Sequence, residues 1–152
     1  MIAKEIKKGL WSACKEILES RLLRLRESMQ RAQEEANLET KSSAGDKYET
    51  NRSMMQLEKE RYALQHVRLQ KMYTKLLRID VSSSSQEIQL GSLVSTSMGW
   101  FFFGVGLGEV EYEGTIYRCI SMKTPIGEVL EGGEEGDIVD FRDREVEVFD
   151  VI

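Results

Sequence analysis

The first part of the chain repeats apolar residues with the period of paired helices. Between Trp11 and Ala36 they recur at steps of three and four, with one irregularity at Leu18. No proline interrupts this stretch, and the strong helix formers Glu, Arg, Gln and Leu fill the other positions. The pattern predicts one long helix with a coiled-coil seam. That seam consists of Trp11, Cys14, Leu18, Leu22, Leu25, Met29, Ala32 and Ala36.

A second helical pattern follows after a short interruption. The helix over residues 51–79 would be roughly 40 Å long, at about 1.5 Å per residue. Because the segment between the two patterns is short, the sequence favours an intramolecular antiparallel hairpin over a dimerising coiled coil, which the seam alone does not exclude. The second seam places Met55, Tyr62, Leu69 and Leu76 at heptad spacing, with Leu57, Leu64, Met72 and Ile79 on its flanks.

The interruption, SSAGDKYET over residues 42–50, carries two carboxylates. If the helix resumes at Asp46, the spacing of three residues puts Asp46 and Glu49 on one face, where they could share a divalent cation. The alternative is that Asp46 caps the second helix and Glu49 completes a capping-box-like pair. Both interpretations fit the nine residues.

Four consecutive serines, Ser82 to Ser85, indicate a flexible joint and a domain boundary. Beyond them, short β-rich runs separated by glycines predict a small antiparallel sheet with a hairpin turn at Glu113-Gly114. A short helix begins at Thr124-Pro125 and ends near Gly132. The predicted fold is α+β, with a long helical hairpin in residues 1–80 and a β domain in residues 81–152. The strand-like runs are 88–94, 100–103, 110–112, 116–120, 138–141 and 146–151.

Charge divides the chain at the same boundary. Residues 1–80 hold 17 basic and 12 acidic side chains, a net charge of +5, whereas residues 81–152 hold 4 and 14, a net charge of −10. This asymmetry indicates two units that face different parts of a partner. The returning helix carries a basic row that is either a solvated face or a contact for nucleic acid or an acidic groove. The row consists of Arg61, Arg68, Lys71, Lys75 and Arg78.

Several other features indicate no chemistry of their own. Cys14 and Cys119 lie in different halves without a second cysteine nearby, so we expect packed thiols and neither a metal pair nor a disulfide. His66 has no metal-ligating residue at suitable spacing. The aromatic, glycine-rich run over residues 99–108 matches no nucleotide-binding motif and is expected to form core or an apolar contact surface. The N-terminal residues lack a signal-peptide core and no run is long enough to span a membrane, so we expect a cytoplasmic protein.

Two spaced patterns resemble one protein family. The first resembles the hallmark of the bacterial Gre family of transcript cleavage factors, I-S-x-x-[ST]-P-[IL]-x(3)-L-x-G-x(3)-G-D-x-V, which lies in an FKBP-like domain. The second, Gly45-Asp46-x-x-Glu49, is similar to the acidic tip of that family, which also lies between two long helices. The resemblance covers nearly the whole chain. The first pattern comprises Ile120-Ser121, Thr124-Pro125-Ile126, Leu130, Gly132, Gly136-Asp137 and Val139.

The resemblance implies a transcription elongation factor that acts on the DNA-bound RNA polymerase. Such a factor docks its globular domain at the rim of the secondary channel and inserts the hairpin towards the active centre. Asp46 would be the principal ligand of a second Mg²⁺ and Glu49 would orient the water-bearing metal, so that the polymerase hydrolyses the 3′ end of a backtracked nascent RNA. The chain would be a monomer with no tightly bound cofactor and no enzyme activity of its own. Expected polymerase contacts are the basic row and Thr124, Pro125 and Ile126.

Departures from the family pattern keep two alternatives open. After Glu49 the family usually continues Asn-Ala-Glu-Tyr, whereas this chain has Thr50-Asn51-Arg52-Ser53 and places Tyr48 before the glutamate. Glu131 stands where an apolar residue is expected, and the aromatic stretch 100–103 has no counterpart in the pattern. One alternative is a secondary-channel regulator that does not stimulate cleavage. The other, suggested by the FKBP-like domain alone, is a peptidyl-prolyl isomerase.

Overall fold

The computed structural model describes residues 2–42 and 46–152, and the side chains of residues 2–38 and 49–152. These residues form two compact units, one made of Met1–Glu16 with Thr74–Ile152 and the other of Ile17–Tyr73. The predicted boundary near residue 80 stays a prediction. The elements are α1 (Ile2–Ser42), α2 (Asp46–Leu77), β1 (Leu93–Thr96), β2 (Gly99–Phe103), β3 (Gly108–Tyr112), β4 (Thr115–Ile120), α3 (Pro125–Leu130), β5 (Ile138–Phe141) and β6 (Arg144–Val151).

The predicted helical hairpin is confirmed, and its seam on α1 is the one that the sequence indicates. In the Ile17–Tyr73 unit, Leu18, Leu22 and Leu25 are buried, and the smaller or more flexible seam residues closer to the end of α1 are half-buried. Burial of this stripe stabilises a helix whose remaining faces are mostly polar. None of the described helices carries a stretch apolar enough to cross a lipid bilayer.

The seam on α2 is more polar than predicted. Glu58 and His66 are half-buried at steps of three and four from Met55 and Tyr62, and the Tyr62 hydroxyl donates a hydrogen bond of 3.1 Å to Glu58 Oε1. His66 is therefore partly covered at the edge of the seam. The Tyr62 hydroxyl thus satisfies one oxygen of the Glu58 carboxylate. Partial burial of that carboxylate without a hydrogen bond would cost free energy.

The flanking positions Leu57 and Leu64 do not support the seam, which corrects the sequence prediction. Their side chains are 66% and 52% exposed. Each follows a heptad position by two residues, and a helix turns by about 100° per residue, so each points roughly 200° away from the seam. The two leucines are thus available on the surface of α2.

The β-rich part forms one six-stranded sheet in the order β3-β4-β2-β1-β6-β5. All neighbouring pairs are antiparallel except β2 and β4, which are parallel, with Trp100 opposite Tyr117. The parallel pair arises because the chain reverses twice between them, first at residues 104–107 and again at the Glu113-Gly114 hairpin. The predicted small sheet is confirmed, with this one pair in the other orientation.

The aromatic run is core. Phe101 and Phe103 are buried with ring centroids 6.1 Å apart, and they belong to a cluster that includes Val146 and Val148 of β6. The acidic residues that alternate with these valines are exposed, as the alternating pattern of β6 predicts. Ile88, predicted in a strand, lies before β1 and exchanges backbone hydrogen bonds with the glycines at 132 and 133.

The serine segment after α2 is anchored by hydrogen bonds. Lys7, only 3% exposed, donates from Nζ to the carbonyl oxygens of Ser83 at 3.0 Å and Ile152 at 3.1 Å. Burial lowers the pKa of Lys7 below its ordinary value, although the Asp80 carboxylate opposes this. Asp80 Oδ1 in turn accepts hydrogen bonds from the backbone and hydroxyl of Ser82. The predicted flexible joint is thus tied to the first turns of α1.

Candidate functional site

The acidic tip of the hairpin lies where α2 begins. The helix starts at Asp46, so positions 46 and 49 are three residues apart in its first turn. Glu49 is exposed. The side chain of Asp46 and residues 43–45 lie outside the described part of the chain. The choice between a helix cap and a pair of metal ligands therefore stays a prediction.

Glu49 alone makes a weak metal site. Mg²⁺ prefers six oxygen ligands, and carboxylates on a protein often supply only one or two of them. Among the residues whose side chains are described, no three His, Cys, Asp or Glu groups lie together in a way that could hold a metal ion. A metal at this position would need oxygen ligands beyond those residues.

The basic residues of α2 are exposed and share their face with apolar side chains. Within the Ile17–Tyr73 unit, six exposed basic and apolar residues of α2 follow one another at steps of three and four along one face of the helix. We call this face the mixed stripe. Its three apolar members are 52% to 66% exposed. Lys75 and Arg78, the other two members of the predicted basic row, are also exposed but belong to the other unit. The mixed stripe consists of Met54, Leu57, Arg61, Leu64, Arg68 and Lys71.

Within the mixed stripe, Arg61 has weak contacts with its neighbours on α2. Arg61 lies 3.8 Å from Glu58 Oε1 and 5.4 Å from the ring of Tyr62, an exposed arrangement that contributes little to stability. An open groove of about 440 Å³ lies beside this end of the stripe. The sequence interpretation missed the apolar members because it assigned Leu57 and Leu64 to the seam; their offset from the heptad positions was the available signal. The groove is lined by Asn51, Met54, Met55, Leu57, Glu58 and Arg61.

The C-terminal motif is explained by local structure. Thr124 caps α3: its Oγ1 accepts a hydrogen bond of 3.1 Å from the Gly127 N–H and donates one of 2.8 Å to the Ser121 carbonyl. Leu130 at the other end of α3 is fully buried. Of the three residues predicted to contact the polymerase here, Pro125 is exposed, whereas Thr124 and Ile126 are half-buried.

The motif residues after α3 shape a turn. Gly132 and Gly136 have φ angles of +79° and +91°, a region that only glycine adopts without strain. Asp137 Oδ2 accepts a hydrogen bond of 2.8 Å from the Glu134 N–H between them. The hallmark pattern therefore encodes a turn, a capped helix and a second turn, and it indicates the fold of this segment more directly than its function.

Changing Thr124 to Ala is expected to lower the free energy of unfolding by about 1 kcal/mol, because α3 loses its side-chain cap and the Ser121 carbonyl loses a donor. Thr124→Ser keeps the hydroxyl and is the matched control. Urea denaturation of both variants measures the difference. Equal losses for Ser and Ala would show that the hydroxyl does not stabilise the helix.

No protein-family model and no curated protein matches the sequence. Among solved structures, one similar to this chain belongs to a transcription factor and is entitled "Structure of the transcription factor Gfh1". The two share 24% identity over 90% of this chain and 92% of that one, with a TM-score of 0.38. A likeness this distant carries no weight for function, and the family resemblance depends on the motifs of this chain.

Proposed function

We propose that this chain is a transcription elongation factor that binds RNA polymerase in its secondary channel. There it stimulates cleavage of the 3′ end of backtracked RNA by the polymerase's own active site. The observation that carries the proposal is the exposed Glu49 in the first turn of α2, at the end of a helical hairpin and within the pattern Gly45-Asp46-x-x-Glu49. The C-terminal pattern that resembles the Gre family supports it independently.

The tip acids would act on a metal that the polymerase holds weakly. A bound Mg²⁺ polarises a phosphoryl oxygen and lowers the pKa of its water. Asp46 would provide the principal oxygen ligand from this chain, and Glu49 would accept a hydrogen bond from the metal's water and orient it. Each helical segment of the Ile17–Tyr73 unit contains enough residues to be roughly 40 Å long, which suits insertion into a narrow channel.

The mixed stripe would contact the channel wall. Exposed Arg61, Arg68 and Lys71 fit an acidic protein surface, and the neighbouring apolar side chains would bury area against the same surface. The proposed protein is a cytoplasmic monomer that meets the nascent RNA only inside the elongation complex. Hydrolysis would belong to the polymerase and would use Mg²⁺ shared with it.

The test uses stalled, backtracked elongation complexes made with the matching polymerase. Added protein is expected to release short 3′ RNA fragments in a Mg²⁺-dependent manner, above the level in complexes without it. Binding without release would support instead a channel regulator that does not stimulate cleavage, which the departures at Thr50–Ser53 favour. Absence of binding would refute both proposals.

The double variant Arg68→Glu with Lys71→Glu is expected to weaken polymerase binding roughly tenfold at low salt, because two attractive charges become repulsive. Arg21→Glu with Lys59→Glu is the matched control, since both residues are exposed on the hairpin helices outside the mixed stripe and the change in net charge is the same. Competition binding at two salt concentrations measures the effect. If both double variants lose equal affinity, overall charge and not the mixed stripe governs binding.

A further inference from the structure

The two cysteines of the chain meet in the interior of the unit that contains the sheet. Cys14 of α1 and Cys119 of β4 are 105 residues apart in sequence, yet their sulfur atoms lie 3.6 Å from each other. Both are free thiols, and they are 0% and 1% exposed. The sequence predicts packed thiols and does not indicate that the two lie together, because pairing depends on how α1 packs on the sheet.

We propose that Cys14 and Cys119 form an intramolecular disulfide when the folded protein meets a peroxide or a low-molecular-weight disulfide. The sulfur atoms need to approach by about 1.5 Å to reach the bond length of a disulfide, which is about 2.05 Å. Side-chain rotation together with a small shift of α1 against β4 can supply this approach. The proposal is independent of any action on RNA polymerase.

The chemistry with hydrogen peroxide balances without another reagent. The thiolate of one cysteine attacks a peroxide oxygen, which breaks the O–O bond, releases water and leaves a sulfenic acid. The second sulfur then attacks the first, forms the S–S bond and expels a second water. Two thiols and one peroxide thus give one disulfide and two waters, with two electrons passing from sulfur to oxygen. With oxidised glutathione, one cysteine breaks the glutathione S–S bond, forms a mixed disulfide and releases one glutathione thiol; the second cysteine then displaces the other glutathione thiol and closes the bond.

The environment distinguishes the two sulfurs. Their shared hydrogen bond lowers the pKa of Cys14 against the opposing effect of burial, whereas the same hydrogen bond and burial both raise the pKa of Cys119. Whichever sulfur reacts first with the oxidant, the other lies 3.6 Å away and can resolve the product. Because both sulfurs are themselves buried, oxidant reaches the pair slowly, and a reductant removes the bond slowly as well.

The bond would fasten α1 at Cys14 to β4, the second strand from one edge of the sheet. β4 lies between β2 and β3, with Cys119 opposite Phe102 on one side and Gly108 on the other. Closing a loop of this length removes much conformational entropy from the unfolded chain. We expect the oxidised protein to have a Tm higher than the reduced protein by roughly 5–15 °C.

The experiment uses the full chain, first fully reduced and then incubated with hydrogen peroxide or oxidised glutathione. Expected results are the loss of both titratable thiols in denaturant, an intact mass lower by two hydrogen atoms, a monomer on non-reducing gels, and the higher Tm. Dithiothreitol should restore the thiols and the original Tm.

Cys119→Ser and Cys14→Ser are the controls, with thermal melting of each reduced variant to establish that it is folded. Each variant keeps one thiol without its partner, so neither should lose two hydrogen atoms within one chain nor gain Tm under oxidant. Retention of both thiols under oxidant, an intermolecular dimer, or a mass gain from overoxidation would each overturn the proposal. An oxidised monomer, lighter by two hydrogen atoms, with an unchanged or lower Tm would refute the stabilisation expected from the bond.

Discussion

Changing Asp46 to Asn and Glu49 to Gln together is expected to lower Mg²⁺-dependent release of 3′ RNA from backtracked complexes by about 100-fold. The amides keep the size of the side chains but remove two negative charges. Loss of about 2.7 kcal/mol of metal and transition-state stabilisation corresponds to this factor, since 1.36 kcal/mol is tenfold. The rate of RNA release, measured at saturating protein, tests the chemical step and not affinity.

Two comparisons separate this effect from binding. The affinity of the tip variant for the polymerase should stay within a few-fold of the parent, because the substitutions are isosteric and confined to the first turn of α2. Glu35→Gln with Glu60→Gln removes the same charge at exposed helix positions away from the tip and should leave release unchanged. A tip variant as active as the parent would refute a role for these carboxylates in cleavage.

Changing Gly127 to Ala is expected to lower the free energy of unfolding by about 3 kcal/mol. A Cβ atom at this position would lie 2.6 Å from the Met122 carbonyl oxygen and 2.8 Å from that of Ser121. Both are backbone atoms of a turn that is held by the Thr124 hydroxyl, so the turn must move or α3 must shift. Helix propensity alone would favour Ala over Gly by about 1 kcal/mol. A decrease in the free energy of unfolding would therefore show that the clash of the Cβ atom outweighs helix propensity.

Gly106→Ala is the matched control for this substitution. A Cβ at Gly106 meets no atom within 4 Å, and the residue does not adopt a positive φ. Chemical denaturation should give a lower midpoint for Gly127→Ala with an unchanged m value, and a midpoint close to the parent for Gly106→Ala. A loss below about 1 kcal/mol for Gly127→Ala would mean that the turn preceding α3 relaxes easily.

Local geometry of this kind explains why the C-terminal motif could be recognised from sequence. The N-cap position of α3 favours a short side chain with a hydroxyl, which Thr124 provides, and the turn after α3 needs positive φ angles, which Gly132 and Gly136 adopt. Such requirements act within a few residues of one another, so a linear pattern records them. The tip is different, since the proposal that Asp46 and Glu49 take part in chemistry comes from the sequence alone. The structure adds only that α2 begins there and that Glu49 is exposed.

The sequence predictions were wrong where the outcome depended on the angular position of a residue around its helix or on which distant strands pair. The sequence prediction placed Leu57 and Leu64 on the flanks of the seam, but a two-residue offset turns them to the surface. Glu58 and His66 are half-buried beside the seam instead. The parallel pairing of β2 with β4 was missed because strand propensity does not specify the neighbour of a strand.

By itself, the sequence determined what local physics controls: two long helices from the repeat of apolar residues, β-strands from alternation, and the capped turn from threonine and the glycines around it. Only the tertiary structure decided which distant groups meet, namely Cys14 with Cys119 and Lys7 with Ser83. These contacts depend on how α1 packs against the sheet over separations of 105 and 76 residues, a geometry that no short stretch of sequence encodes.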